Sequence, residues 1–189
     1  APTEAPTTRA VSTVAQVVPA TPVDLPVEFG GQPPIPWELA DDFGGGGADP
    51  IAQTFLVKDA GGVFITQIAV YFKTKSSTFP ITLQLREVIN GFPGPKIVPF
   101  GEKTLTPSEV NISSTAEHPT LFQFNSPVYA KSNQEYCFVL KPAGNNPDYE
   151  IWISELGGTD VLTSEIISNQ PAAGVLFTSA NDRSWTEHQ

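Results

Sequence analysis

At 189 residues the chain has room for one packed domain and an appendage. Twenty acidic against ten basic residues give a net charge of −10, which repels phosphate backbones and disfavours nucleic-acid binding. No run of about 18 apolar residues is present to span a membrane, and a single cysteine, Cys137, excludes a disulfide framework.

The chain divides by composition into residues 1–48 and residues 49–189. The first fifty residues hold nine Pro and six Gly, including Pro33-Pro34 and the run Gly44–Gly47. Pro fixes φ and removes a backbone donor, so it blocks helix interiors and central strands. Apolar residues of this stretch such as Val14, Val17, Val18, Leu25, Val27, Phe29, Ile35 and Trp37 follow no sustained period. Such a segment cannot bury its own apolar groups. Ordering it costs on the order of 1 kcal/mol per residue. The expectation is an extended Pro-rich arm in which Val14, Val17, Val18, Leu25, Phe29, Ile35 and Trp37 dock on partner chains, hinged at the glycine run. The chain opens at Ala1 without Met, which fits either a processed chain or a segment of a longer one.

From Asp49 onward, strand-like runs alternate with turn signals. Residues 52–57 form the first run and Asp59–Gly62 a turn. A long strand is expected over Val63–Thr74, with Phe64, Ile68, Val70 and Phe72 mostly on one parity. Ile81, Leu83 and Leu85 alternate with polar residues and point inward. Residues 90–95 form a turn cluster. Thr106-Pro107 heads a single helical turn, with Thr106 as its cap. Further strands are expected near 98–105, 120–124, 134–141, 149–154 and 174–179. No long amphipathic helix appears. Roughly eight short strands without helical crossovers predict an all-β fold, an antiparallel β-sandwich or jelly roll. Phe55, Phe64, Ile68, Leu83, Leu85, Phe138, Leu140, Ile151 and Ile153 are its expected core.

The chemistry-bearing residues are sparse. His118 and His188 lie in polar segments with no Ser or Cys nucleophile beside them, which disfavours a triad or a zinc site. Cys137 sits inside Tyr136–Leu140 and reads as a small buried hydrophobe. The carboxylates Glu87, Glu102, Glu109, Glu117, Asp148, Glu150, Glu155, Asp160 and Glu165 fall mostly at turns or outward strand positions. Asp41, Asp42 and Asp49 lack calcium-loop spacing, and Gly44–Gly47 lacks the trailing Lys of a phosphate loop. No catalytic residue, metal or cofactor is implied. Trp152 shares an outward parity with Glu150, and Trp185 lies in a polar tail. Both are candidates for glycan or partner contact, or for covering by the domain's own loops.

Several segments together resemble a domain of tail and baseplate structural proteins of contractile-tailed, cyanophage-type bacteriophages. They are Asp49–Phe55, Gly62–Thr66, Pro80–Arg86, Asn90–Pro93, Ser126–Tyr129 with Glu135–Leu140, Tyr149–Ser154, and Gln170-Pro171 with Gly174–Phe177 and Ser184–Thr186. The likeness spans about residues 49–187 and leaves out the arm. It implies a virion structural protein, assembled in the host cytoplasm, with other virion proteins as partners and no catalytic residues. The alternative is an extracellular carbohydrate-binding module or adhesin domain with a Pro/Thr-rich linker, which Ala1–Thr8 would suit.

Overall fold

The computed structural model describes residues 50–144, 148–153, 160, 165–166 and 174–188. The seven arm residues expected to dock on partners and the glycine run lie outside them. The described residues form ten strands: β1 (Ile51–Val57), β2 (Val63–Val70), β3 (Phe72–Thr74), β4 (Ile81–Ile89), β5 (Phe92–Leu105), β6 (Thr120–Ala130), β7 (Gln134–Pro142), β8 (Glu150–Ile151), β9 (Leu176–Thr178) and β10 (Thr186–His188).

Every strand pairing is antiparallel. Six strands join in the order β10-β9-β1-β7-β4-β5, while β2 pairs with β6 and β3 with β8. Local chemistry sets the connections. Asn90 and Gly91 both adopt positive φ, the requirement of the tight turn that matches strand twist, and they close the β4–β5 hairpin. A 3-10 turn spans Pro107–Glu109. Thr106 N and Oγ1 both donate to Glu109 Oε2, at 2.8 and 2.7 Å. Those two bonds hold the Glu109 carboxyl below its ordinary range.

One hydrophobic core lies between the six-stranded sheet and the smaller pairs. Phe55, Leu83, Leu85, Phe138 and Leu140 enter it from the large sheet. Ile65, Ile68, Phe122 and Val128 meet them from β2 and β6, and Phe72 from β3. At about 25 cal/mol per Å² of apolar surface, each such side chain contributes about 2 kcal/mol. The architecture is therefore an antiparallel β-sandwich.

The large sheet is also covered on its other face. Ala52, Cys137, Val139 and Phe177 form a second cluster, with Val88, Val175 and Trp185 packed against it. This is why β7 reads as the unbroken apolar run Tyr136–Leu140: a strand buried on both faces loses the polar half of its alternation. β9 and β10 extend the sheet edge, and the side chain of Phe177 with the 179–185 connection that carries Asp182 and Trp185 supplies the cover. Thr54 N donates to the Val175 carbonyl at 3.0 Å, and Val175 N donates to Thr54 Oγ1 at 2.9 Å. A Cβ on Gly174 would lie 1.9 Å from the Thr54 carbonyl oxygen, so no other residue fits that crossing.

The structure corrects the sequence reading in four places. Phe64 is exposed rather than buried. The register of β2 against β6 shifts between Ile65 and Gln67, and this irregularity moves the buried parity from Val63 and Ile65 to Ile68 and Val70. The expected long strand Val63–Thr74 breaks at Tyr71 into β2 and β3, which pair with different strands. Ile151 and Ile153 are half-buried, not core. The tail around Trp185 contributes strand β10.

Candidate docking surface

Among the described residues, no three His, Cys, Asp or Glu side chains gather in a way that would hold a metal ion. Several carboxylates pair with partners near them: Glu87 with Lys96 at 2.8 Å, Glu102 with Gln84 at 2.6 Å and Glu117 with Thr115 at 2.5 Å. His118 is exposed, and His188 Nε2 lies 2.7 Å from Thr178 Oγ1 across the β9–β10 pair. Glu155 and residues 41, 42 and 49 lie outside the described residues. An open cleft of about 390 Å³ is lined by Lys75, Ser108, Val110, Asn111, Ile112, His118 and Pro119. Lys75 Nζ donates to the Val110 carbonyl there at 2.7 Å. The cleft holds a cation and a hydroxyl but no carboxylate to serve as base beside His118.

The most elaborate polar cluster ties the C-terminal segment down. Arg86 is 4% exposed. It forks onto Asp182, Nη1 to Oδ1 at 2.7 Å and Nη2 to Oδ2 at 2.8 Å. Lys141 Nζ reaches the same Oδ2 at 2.5 Å. Arg86 Nε donates to Gln84 Oε1 at 3.0 Å, and Nη2 shares that oxygen. Burial opposes ionisation of Asp182, but the bonds and charges of Arg86 and Lys141 outweigh it and hold the carboxyl below its ordinary range. Asp182 sits at φ 59°, and Asn181 Oδ1 braces the turn by accepting from Arg183 N at 2.9 Å and Ser184 N at 2.8 Å. The groups satisfy one another, so the cluster is a structural clamp. Beneath the same cover, burial pushes the Cys137 thiol up to about 12, as the sequence reading of an inert buried cysteine requires.

Trp152 is not an exposed platform. It is 4% exposed, packs with Ala116 and Tyr71, and donates its Nε1 to the Ser113 carbonyl at 2.8 Å. The loop around 113–116 covers the face that alternation marks as outward. Trp185 is half-buried against the second cluster. Trp152 is therefore not an exposed contact but part of the domain's own packing, while Trp185 keeps one side open to solvent.

The exposed apolar surface lies elsewhere. Strands β2 and β6 contain no charged residue. Their outward positions run in register as Phe64 opposite Tyr129, Gln67 opposite Gln123 and Ala69 opposite Leu121. Phe64, Tyr129 and Leu121 are 45%, 45% and 47% exposed. The two rings touch, with centroids 5.2 Å apart and planes tilted by 49°. Tyr129 Oη donates to the Gly61 carbonyl at 2.8 Å, which fixes the ring. Sequence reasoning passed over this face because it placed Phe64 in the core. The absence of any charge from 63–70 and 120–130 was the available signal. The β4–β5 hairpin also exposes Ile89, Phe92, Ile97 and Phe100, but Glu87, Lys96, Glu102 and Lys103 are interspersed among them. In comparisons with known proteins, no family model, no curated protein and no solved structure matches this chain.

Proposed function

We propose that this chain is a non-enzymatic structural protein of a phage tail or baseplate that docks to neighbouring virion proteins through its arm and its sandwich. The observation that carries this reading is the charge-free outward face of β2 and β6. Polar outward positions are the ordinary state of a half-exposed antiparallel sheet. A face that keeps two aromatic rings and a leucine in water instead marks a contact surface. The segment resemblance at residues 49–187 supplies the assembly to which the contact belongs. The arm, by its composition, adds a segment that gains order when it binds.

A carbohydrate-binding role is the second reading, since aromatic rings and carboxamides sit side by side on this face. The 49° tilt between the rings argues against it, because a sugar ring stacks best on a flat platform. The test is to delete residues 1–40, measure the thermal midpoint, and assay incorporation into particles. The expected result is an unchanged midpoint with loss of incorporation. Normal incorporation would refute the docking role of the arm, and collapse of the sandwich would assign the arm to the domain's own core.

A further inference from the structure

We infer that the proline-rich stretch Gln32–Trp37 of the arm docks on the outward face of β2 and β6 of its own chain, an inference that rests on the docking role given to that face above and names its occupant. It assigns Ile35 and Trp37 to this face and leaves Val14, Val17, Val18 and Leu25 to neighbouring chains.

Chemistry selects the segment. Pro33, Pro34 and Pro36 favour the polyproline II conformation, whose backbone makes no hydrogen bonds of its own. A proline keeps its carbonyl but has no N–H, so such a segment needs donors and apolar slots from its partner and no acceptors. The face offers both. The Phe64 and Tyr129 rings, 5.2 Å apart and tilted by 49°, make a notch rather than a platform, and aromatic-lined grooves are the general receptors of polyproline II. Gln67, Gln123 and Asn125 bring carboxamide donors to the same surface. Among the described residues, none of these three side chains has a hydrogen-bond partner. Charge agrees, since residues 29–37 carry none and neither do the two strands. Residues 10–23 are uncharged too, but their prolines stand apart at Pro19 and Pro22.

The place where the arm joins the domain selects the same chain. β1 runs from Ile51 to Val57, and β2 returns from Val63 after the turn at Asp59–Gly62. Pro50 therefore lies at the end of the sandwich where β2 finishes, beside Ala69 and Leu121. The two sheets are about 10 Å apart. The twelve residues 38–49 reach up to about 40 Å, enough to round that end. Trp37 then meets Ala69 and Leu121, and the chain runs back along the pair to bring Pro33 and Pro34 to the notch. The five steps from Gln32 to Trp37 cover about 16 Å as polyproline II, and the five strand steps from Phe64 to Ala69 cover about 17 Å. Past the notch, Glu28 comes to the end where the exposed Lys58 and Lys131 follow β1 and β6. A short tether holds the segment at millimolar effective concentration, so a contact too small to join separate chains suffices here. Bound and released arms coexist, and the contact leaves the midpoint of unfolding where it is.

The test is a nitroxide on Gly30→Cys in the full chain, read by the broadening of backbone amide signals. The buried Cys137, its thiol pushed up to about 12, stays unlabelled. The expected result is loss of signal at 63–65 and 128–130 with β4 spared. Pro33→Gly combined with Pro34→Gly should restore those signals, and so should Leu121→Lys, each with an unchanged thermal midpoint. An unbroadened face, or broadening that survives the paired glycines, overturns the inference. A mixture of nitroxide-labelled chain with isotope-labelled, nitroxide-free chain should show no broadening, and broadening there would give the face to the arm of another copy instead. If the face is unbroadened yet Leu121→Lys blocks incorporation into particles, the arm is ruled out as occupant while the docking role stands. Normal incorporation of Leu121→Lys would refute the docking role itself.

Discussion

The six-stranded sheet and the β2–β6 pair share one core but treat their outer faces in opposite ways. The large sheet carries charge on its strands and then covers its outer face with the 179–185 connection between its own edge strands β9 and β10, clamped by Arg86, Asp182 and Lys141. The small pair carries no charge and leaves Phe64, Tyr129 and Leu121 in water. Burying Arg86 costs desolvation that only a well-fitted partner offsets, so that face is spent on the domain's own stability. The uncharged face contributes little to folding beyond its inner side, which leaves its outer side available for contact.

Substitutions would sharpen this contrast. The largest effect is expected where the two sheets meet: Leu83 is fully buried, and Leu83→Ala should cost about 2–5 kcal/mol in a denaturant titration. Next comes the clamp. Asp182→Ala leaves Arg86 buried without its carboxylate and should cost about 2–4 kcal/mol, somewhat less than a fully buried pair because Asp182 is partly exposed. An unchanged denaturant midpoint would break the claim that the cover is held by charge.

The clamp also predicts a pH dependence. The Asp182 carboxyl is lowered in the folded state, so its contribution is complete above the ordinary carboxylate range, about pH 4. It is lost as pH falls through the lowered folded value. Thermal unfolding from pH 6 down to pH 2 should show this loss, and Asp182→Asn should flatten that part of the profile. The smallest effect on stability is expected on the open face. Leu121→Ser should change unfolding by less than about 0.5 kcal/mol, and a cost above 2 kcal/mol would show that the face is covered in the folded monomer.

The sequence displays the inner faces better than the outer ones. Ile81, Leu83 and Leu85 alternate cleanly, and the Asn90-Gly91 turn and the Thr106-Pro107 cap carry their own local chemistry. Phe64 failed because an irregularity near Thr66 changes parity without changing composition. The sequence left Trp152 open between partner contact and covering by a loop, because that cover, the loop around 113–116, is remote in sequence from β8. The clamp was illegible for the same reason: Arg86 and Asp182 lie far apart in the chain, and nothing local in either marks the other. The apolar run Tyr136–Leu140 did announce a strand covered on both sides, without naming the cover.

Cys137 turns that cover into a clock. It is the single thiol of the chain, fully buried beneath the segment that Phe177 and Trp185 pin down, and burial pushes its pKa up, which leaves almost no thiolate at neutral pH. A thiol reagent can therefore reach it only during an excursion in which that segment lifts away. Because no second sulfur competes, the rate of labelling reads the frequency of local opening directly, residue-specific and without mutation, and separates partial unfolding of one face from unfolding of the whole domain.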